Sequence, residues 1–120
     1  MCKLVRFGKD KYVAEIKLRH IQNIAEQAGK TKNIDRIMLF GSSLEERCTE
    51  KSDIDIAVFG DMRKIKYLHS DEFKSFQDRV FLYDMNQDYD ILYFENGGKK
   101  QDMIMRDIAK GVEIYRREMA

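Results

Sequence analysis

The sequence predicts an α/β (α+β) fold: a single domain in which a mixed β-sheet carries helices mainly on one face. Three observations predict it. Short apolar runs at 37–40, 54–59 and 89–94 have strand length and are bounded by glycine or acidic residues. Apolar stripes at helical spacing lie around them, over 12–28, 71–83 and 99–110. A chain of 120 residues can build one real core without room for a second. One domain over 1–120 is therefore expected, with its core at about 34–116.

In chain order, residues 3–7 alternate weakly and predict an edge strand or an ordered arm. Over 12–28, Ala14, Leu18, Ile21, Ala25 and Ala28 fall on one helical stripe with Ile24 beside it, and Gly29 is a natural stop. His20 lies at the margin of that stripe and reads as structural. A polar connection, 30–35, leads into the strand at 37–40, which stops at Gly41. The loop 43–52 precedes the second strand. After Gly60, Arg63, Lys64 and Lys66 mark a polar, basic bend, and His69 reads as a loop residue. Ser70 is the expected N-cap of the helix at 71–83, with Asp71 and Glu72 at the positive end of its dipole and Phe73, Phe76, Val80 and Tyr83 as its core stripe. An acidic connection, 84–88, precedes the third strand. Asn96, Gly97 and Gly98 form a turn into a helix at 99–110, which Lys99 and Lys100 start as a solvated end. Ile104, Met105, Ile108 and Ala109 are expected inward, Gly111 stops the helix, and 112–115 adds a last strand.

Composition excludes several classes. The charged fraction is 36% but nearly balanced at a net +1, so no broad basic surface calls for nucleic acid. The balance is uneven: residues 37–60 carry two basic and five acidic side chains, as a cation site does. Cys2 and Cys48 form neither a disulfide framework nor a metal spacing, and no membrane span or signal peptide is expected. The expected compartment is the cytoplasm, with both thiols reduced. Without a proline or a low-complexity stretch, nothing suggests a linker.

The chemistry concentrates between residues 37 and 59. Side chains alternate along a strand, so Asp53 and Asp55 point one way while Ile54, Ile56 and Val58 point the other. Two carboxylates side by side in an apolar strand repel each other and lose hydration. The expected remedy is a divalent cation such as magnesium, which favours hard oxygen ligands. Gly41 ends a buried strand, where a glycine admits close approach of a ligand to the backbone. A helix starting at Ser42 or Ser43 would add free N–H groups and hydroxyls, an anion site. Phosphate beside metal carboxylates describes a site for a nucleoside triphosphate.

Gly41-Ser42, the ten residues 43–52 and Asp53-Ile54-Asp55 resemble the signature of the minimal nucleotidyltransferases of the polymerase-beta superfamily. The ending Ile108–Arg116, IAKGVEIYR, resembles that family's closing helix, glycine and short strand. The resemblance covers residues 34–116 and implies a third carboxylate in a later strand. Asp90, between Tyr89 and Ile91, fits that place better than Asp88 at the solvated end. It further implies a two-ion mechanism with Mg2+, or Mn2+ in its place: Asp53 and Asp55 bridge both ions, while Asp90 holds one and helps deprotonate the acceptor. Gly41, Ser42 and Ser43 would cradle the triphosphate. Members often carry arginine just after Gly-Ser and a small residue or glycine soon after; this chain has Ser43, Glu45 and Glu46 at those places, so Arg47 and Lys51 are the candidate cations.

The resemblance also implies a role. ATP is the expected substrate, AMP the transferred group, and a tyrosine of a small helical HEPN toxin the acceptor, with this chain as antitoxin. Two rival readings are a binding-only antitoxin and a small-molecule nucleotidyltransferase working as a homodimer. A glycosyltransferase Asp-x-Asp needs a much longer chain, and a calcium loop fails because Ala57 stands where an oxygen ligand belongs.

Overall fold

The computed structural model describes residues 1–97 and 103–118. It opens on a hairpin, β1 (Leu4–Arg6) antiparallel to β2 (Tyr12–Ala14), in a sheet of its own. Gly8 and Asp10 turn it at positive φ, +85° and +59°. The helix expected from residue 12 therefore starts later: Glu15–Lys17 is a 3-10 turn, and α1 runs Leu18–Gly29. The reason lies in the ladder. Phe7 N–H donates to the Lys11 carbonyl at 2.8 Å and Glu15 N–H to the Lys3 carbonyl at 2.8 Å, engaging backbone groups that a longer helix would need.

The main sheet contains β3 (Arg36–Phe40), β4 (Ile54–Gly60), β5 (Tyr89–Glu95) and β6 (Val112–Arg116), in the order β5-β4-β3-β6. β3 runs antiparallel to β4 and β6, whereas β4 and β5 are parallel, which makes the sheet mixed. A bulge between Ile37 and Met38 shifts the β3–β6 register. The helices between the strands are α2 (Lys64–Leu68) and α3 (Asp71–Tyr83), and α4 (Met103–Ala109) precedes β6.

α2 replaces the expected bend. Its anchor is Tyr67, fully buried against Phe73 and Tyr93 with its hydroxyl on the Lys32 carbonyl at 3.1 Å, while Lys64, Ile65 and Lys66 face solvent. α3 matches its expected span, and Phe73 N–H donates to the Ser70 hydroxyl at 3.2 Å as the cap requires. Tyr83, expected in the core, is 44% exposed at the frayed end of the stripe. Gly98, Lys99 and Lys100, the expected turn and start of the last helix, lie outside the described residues. Within α4, Ile108 is buried and Met105 half-buried, but Ile104 and Ala109 face out. One short helix on a sheet buries a narrower stripe than the four positions expected.

Strand alternation sorts the core into two layers. Ile37, Leu39, Ile54, Ile56 and Val58 pack against α1 and α3. Met38, Phe40, Ala57 and Phe59 face the other way and are covered by Ile108 of α4. The acidic face, expected to be open, is thus partly roofed.

The parallel strand pair is tied at its start by a buried lysine. Lys17 is 1% exposed, and its Nζ donates to the Glu50 carbonyl at 3.1 Å, the Ser52 carbonyl at 2.7 Å and Gln87 Oε1 at 2.6 Å. Gln87 Nε2 in turn donates to the carbonyls of Ser52 at 3.0 Å and Asp88 at 2.7 Å. Burial pushes the Lys17 pKa below its usual value, against the pull of Cys48, Asp53 and other nearby acids. Lys17→Met should cost about 2–4 kcal/mol in urea unfolding, because it strands buried acceptors. A loss below about 0.5 kcal/mol, the range of a surface change, would show that the knot is dispensable.

Candidate functional site

Register decides which carboxylates meet. Asp55 pairs with Phe40 across β3 and with Asp90 across β5. In neighbouring strands, paired residues point to the same face, so Asp55 and Asp90 project together. Asp53, two residues earlier, shares that side. Asp55 is half-buried, and Asp53 and Asp90 are exposed. The Asp55 carboxyl is held above the usual carboxylate range, first by burial and then by the charges of Asp90 and Asp53. The three aspartates therefore share one local field. Asp88 is exposed and serves the sheet instead: its carbonyl accepts the Ile54 N–H at 3.0 Å.

Gly41 faces Asp55 directly. It sits at φ +79°, a left-handed conformation that side-chain-bearing residues rarely adopt, and a Cβ there would collide with the Asp55 carboxylate. It opens a 3-10 turn, Gly41–Leu44, against which β2 packs. Ser42 is half-buried in that turn. Ser43 is fully buried, and its hydroxyl has no partner among the described residues.

A cleft of about 400 Å³ runs beside this turn. Gly41, Leu44, Glu45, Arg47 and Asp55 line it, together with Asp107 and Lys110 at the end of α4. Arg47 lines it while ion-paired to Glu45 through its Nε. Lys51 is exposed in the turn before β4 and forms no part of the wall. Asp107 and Lys110 escaped the sequence reading, since nothing in a short helix tells which sheet face it will cover. His20 is buried edge-on against Tyr83 and Tyr89, a core residue whose pKa burial lowers.

Among the described residues, no three His, Cys, Asp or Glu side chains converge as a preformed metal cage. The donor set nonetheless suits a hard divalent ion, since it offers carboxylate oxygens whose mutual repulsion a cation relieves.

Comparison with known proteins gives a family and a fold. Residues 22–120 match the family model described as polymerase beta, nucleotidyltransferase. A crystal structure from Sulfolobus solfataricus, described as that of a putative nucleotidyltransferase, shares the fold with a TM-score of 0.52. That likeness covers 93% of this chain and 94% of the other at 23% identity. Curated proteins give no match.

Two outcomes follow from the site's strain. Gly41→Ala should lose about 1–2 kcal/mol from the left-handed backbone alone, and more from the collision with Asp55; unchanged urea stability would refute the close approach. Asp55→Asn should stabilise the metal-free protein at pH 7 by up to about 1 kcal/mol, a small figure because the carboxylate is partly solvated. The folded carboxyl takes its proton at a higher pH than the unfolded one. Its penalty is therefore full at neutral pH and relieved as the pH falls toward the ordinary value of 3.8, so the variant's advantage should fade over that range. Thermal melts between pH 7 and pH 4 read this, and an advantage that grows on acidification would contradict it.

Proposed function

The chain belongs to the polymerase beta nucleotidyltransferase family, and on that premise we propose that it moves a nucleoside monophosphate from a triphosphate to a hydroxyl acceptor. The observation that carries the proposal is the placement of Gly41 against Asp55, with Asp90 beside Asp55 in register. A backbone cradle and a carboxylate set on one rim match the two halves of a triphosphate–metal substrate.

Asp53, Asp55 and Asp90 are the residues that would hold divalent ions. Bound there, magnesium would offset charge on the attacking and leaving oxygens. Gly41 and Ser42 approach the β- and γ-phosphates through the turn backbone. The acceptor hydroxyl gives its proton to the Asp90 carboxylate as its oxygen bonds to the α-phosphorus. The bond from the α-phosphorus to the bridging oxygen breaks, and pyrophosphate leaves with the electron pair. Asp55, half-buried and crowded by like charge, is poised to exchange its repulsion for a cation.

ATP is the triphosphate and AMP the transferred group in this reading, and the acceptor is a tyrosine of a partner HEPN protein. Support comes from the family resemblance and from exposure: Asp53 and Asp90 lie at an open rim that an acceptor borne on another macromolecule can reach.

The test is transfer of label. Purified protein, ATP labelled at the α-phosphate and magnesium are mixed with the protein encoded next to it. Covalent label on that neighbour is expected, falling about a hundredfold or more with Asp53→Asn. Complex formation without label would replace transfer by a binding-only antitoxin. Neither label nor complex would point to small-molecule acceptors.

A further inference from the structure

We propose that Lys110 is the cation that holds the phosphate tail of the nucleotide, a site that the Gly-Ser and aspartate pattern does not contain. The inference rests on the triphosphate reading above and names the counter-charge that this reading lacks.

The need for one is electrostatic. Asp55, Glu45 and Asp107 line the cleft, so an anionic tail laid along Gly41 meets like charge there. Two basic groups share the wall, Arg47 and Lys110. Arg47 is already engaged by Glu45, two residues away. Lys110 has no ion-pair partner among the described residues, and its side chain is exposed to the cleft's solvent.

Its position is fixed by backbone packing. Gly111, the next residue, sits so close to β3 that a Cβ would collide with the Leu39 carbonyl and lie 3.0 Å from the Ile108 carbonyl. Gly111 N–H also donates to the Ile108 carbonyl at 2.9 Å. Leu39 is two residues before Gly41. The glycine that ends α4 therefore clamps the helix end onto the strand that delivers the phosphate cradle. Lys110 lines the same cleft as Gly41 for that reason. A flexible four-carbon stem with three ammonium donors suits a mobile, terminal phosphate better than a fixed one.

The experiment is calorimetric titration with α,β-methylene-ATP and with AMP in magnesium, so that binding is read without turnover. Lys110→Ala should weaken the ATP analogue about tenfold, the scale of one charge-assisted hydrogen bond, and leave AMP binding unchanged. Lys110→Arg should restore most of the loss, and Arg47→Ala should lose less than Lys110→Ala. Equal analogue affinity in wild type and Lys110→Ala, or a larger loss from Arg47→Ala, overturns the assignment while the function stands. Wild-type protein that binds neither ligand overturns the function and this inference together.

Discussion

Everything at the acidic rim depends on a lysine ammonium that never reaches solvent. Lys17 lies before α1, yet its three acceptors come from the turn ahead of β4 and the residue before Asp88. Gln87 completes the knot by reaching both segments with its other amide atom. Parallel strands have no hairpin to set their register, so the starts of β4 and β5 must be fixed by something else. Here a side-chain knot does so. Its effect is chemical as well as structural, because register is what places Asp55 level with Asp90. A slip of one residue would turn one carboxylate to the opposite, apolar face.

The same register concentrates negative charge, and the fold absorbs that in two ways. Asp53 and Asp90 remain in water, where repulsion is weak, and Asp55 alone carries the burial. Gly41 then removes the side chain that would otherwise crowd the Asp55 carboxylate, accepting a left-handed backbone. Asp55 is thus the point where desolvation, like charge and close backbone approach coincide. Such a coincidence weakens the resting protein, and a cation bound there would relieve the like-charge repulsion.

Much of this could be read from the residues, and the exceptions share a cause. Asp53, Asp55 and Asp90 were legible because period-2 alternation is local, and an acid in an apolar strand breaks a strong pattern. The three long strands were legible from equally local runs and α3 from its apolar stripe at helical spacing, with Ser70 marking its start. The hairpin was not. Val13 and Ala14 extend the apolar pattern of α1 backward, and only pairing with β1 makes them strand. α2 buries only Tyr67, whose partners come from β5, α3 and the connection before β3. Lys17 and Lys110 share the difficulty in sharper form. A lysine in sequence looks solvated, and what distinguishes both is the distant chain packed around or beside them.

The reach of the family match sharpens the point about Lys17. That match begins at residue 22, so it takes in every aspartate of the site but not the lysine that aligns their strands, nor the hairpin before it. β2 also packs against the turn that Gly41 opens, and Val13 is fully buried beneath it. The N-terminal segment therefore touches both halves of the site, the Gly41 turn through β2 and the carboxylate strands through Lys17. Local opening of the hairpin would free the Gly41 turn from β2 and loosen the segment that carries Lys17, leaving Gln87 to bridge Ser52 and Asp88. Stability of a short two-stranded sheet, marginal by itself, then bears on how firmly the acidic rim is held.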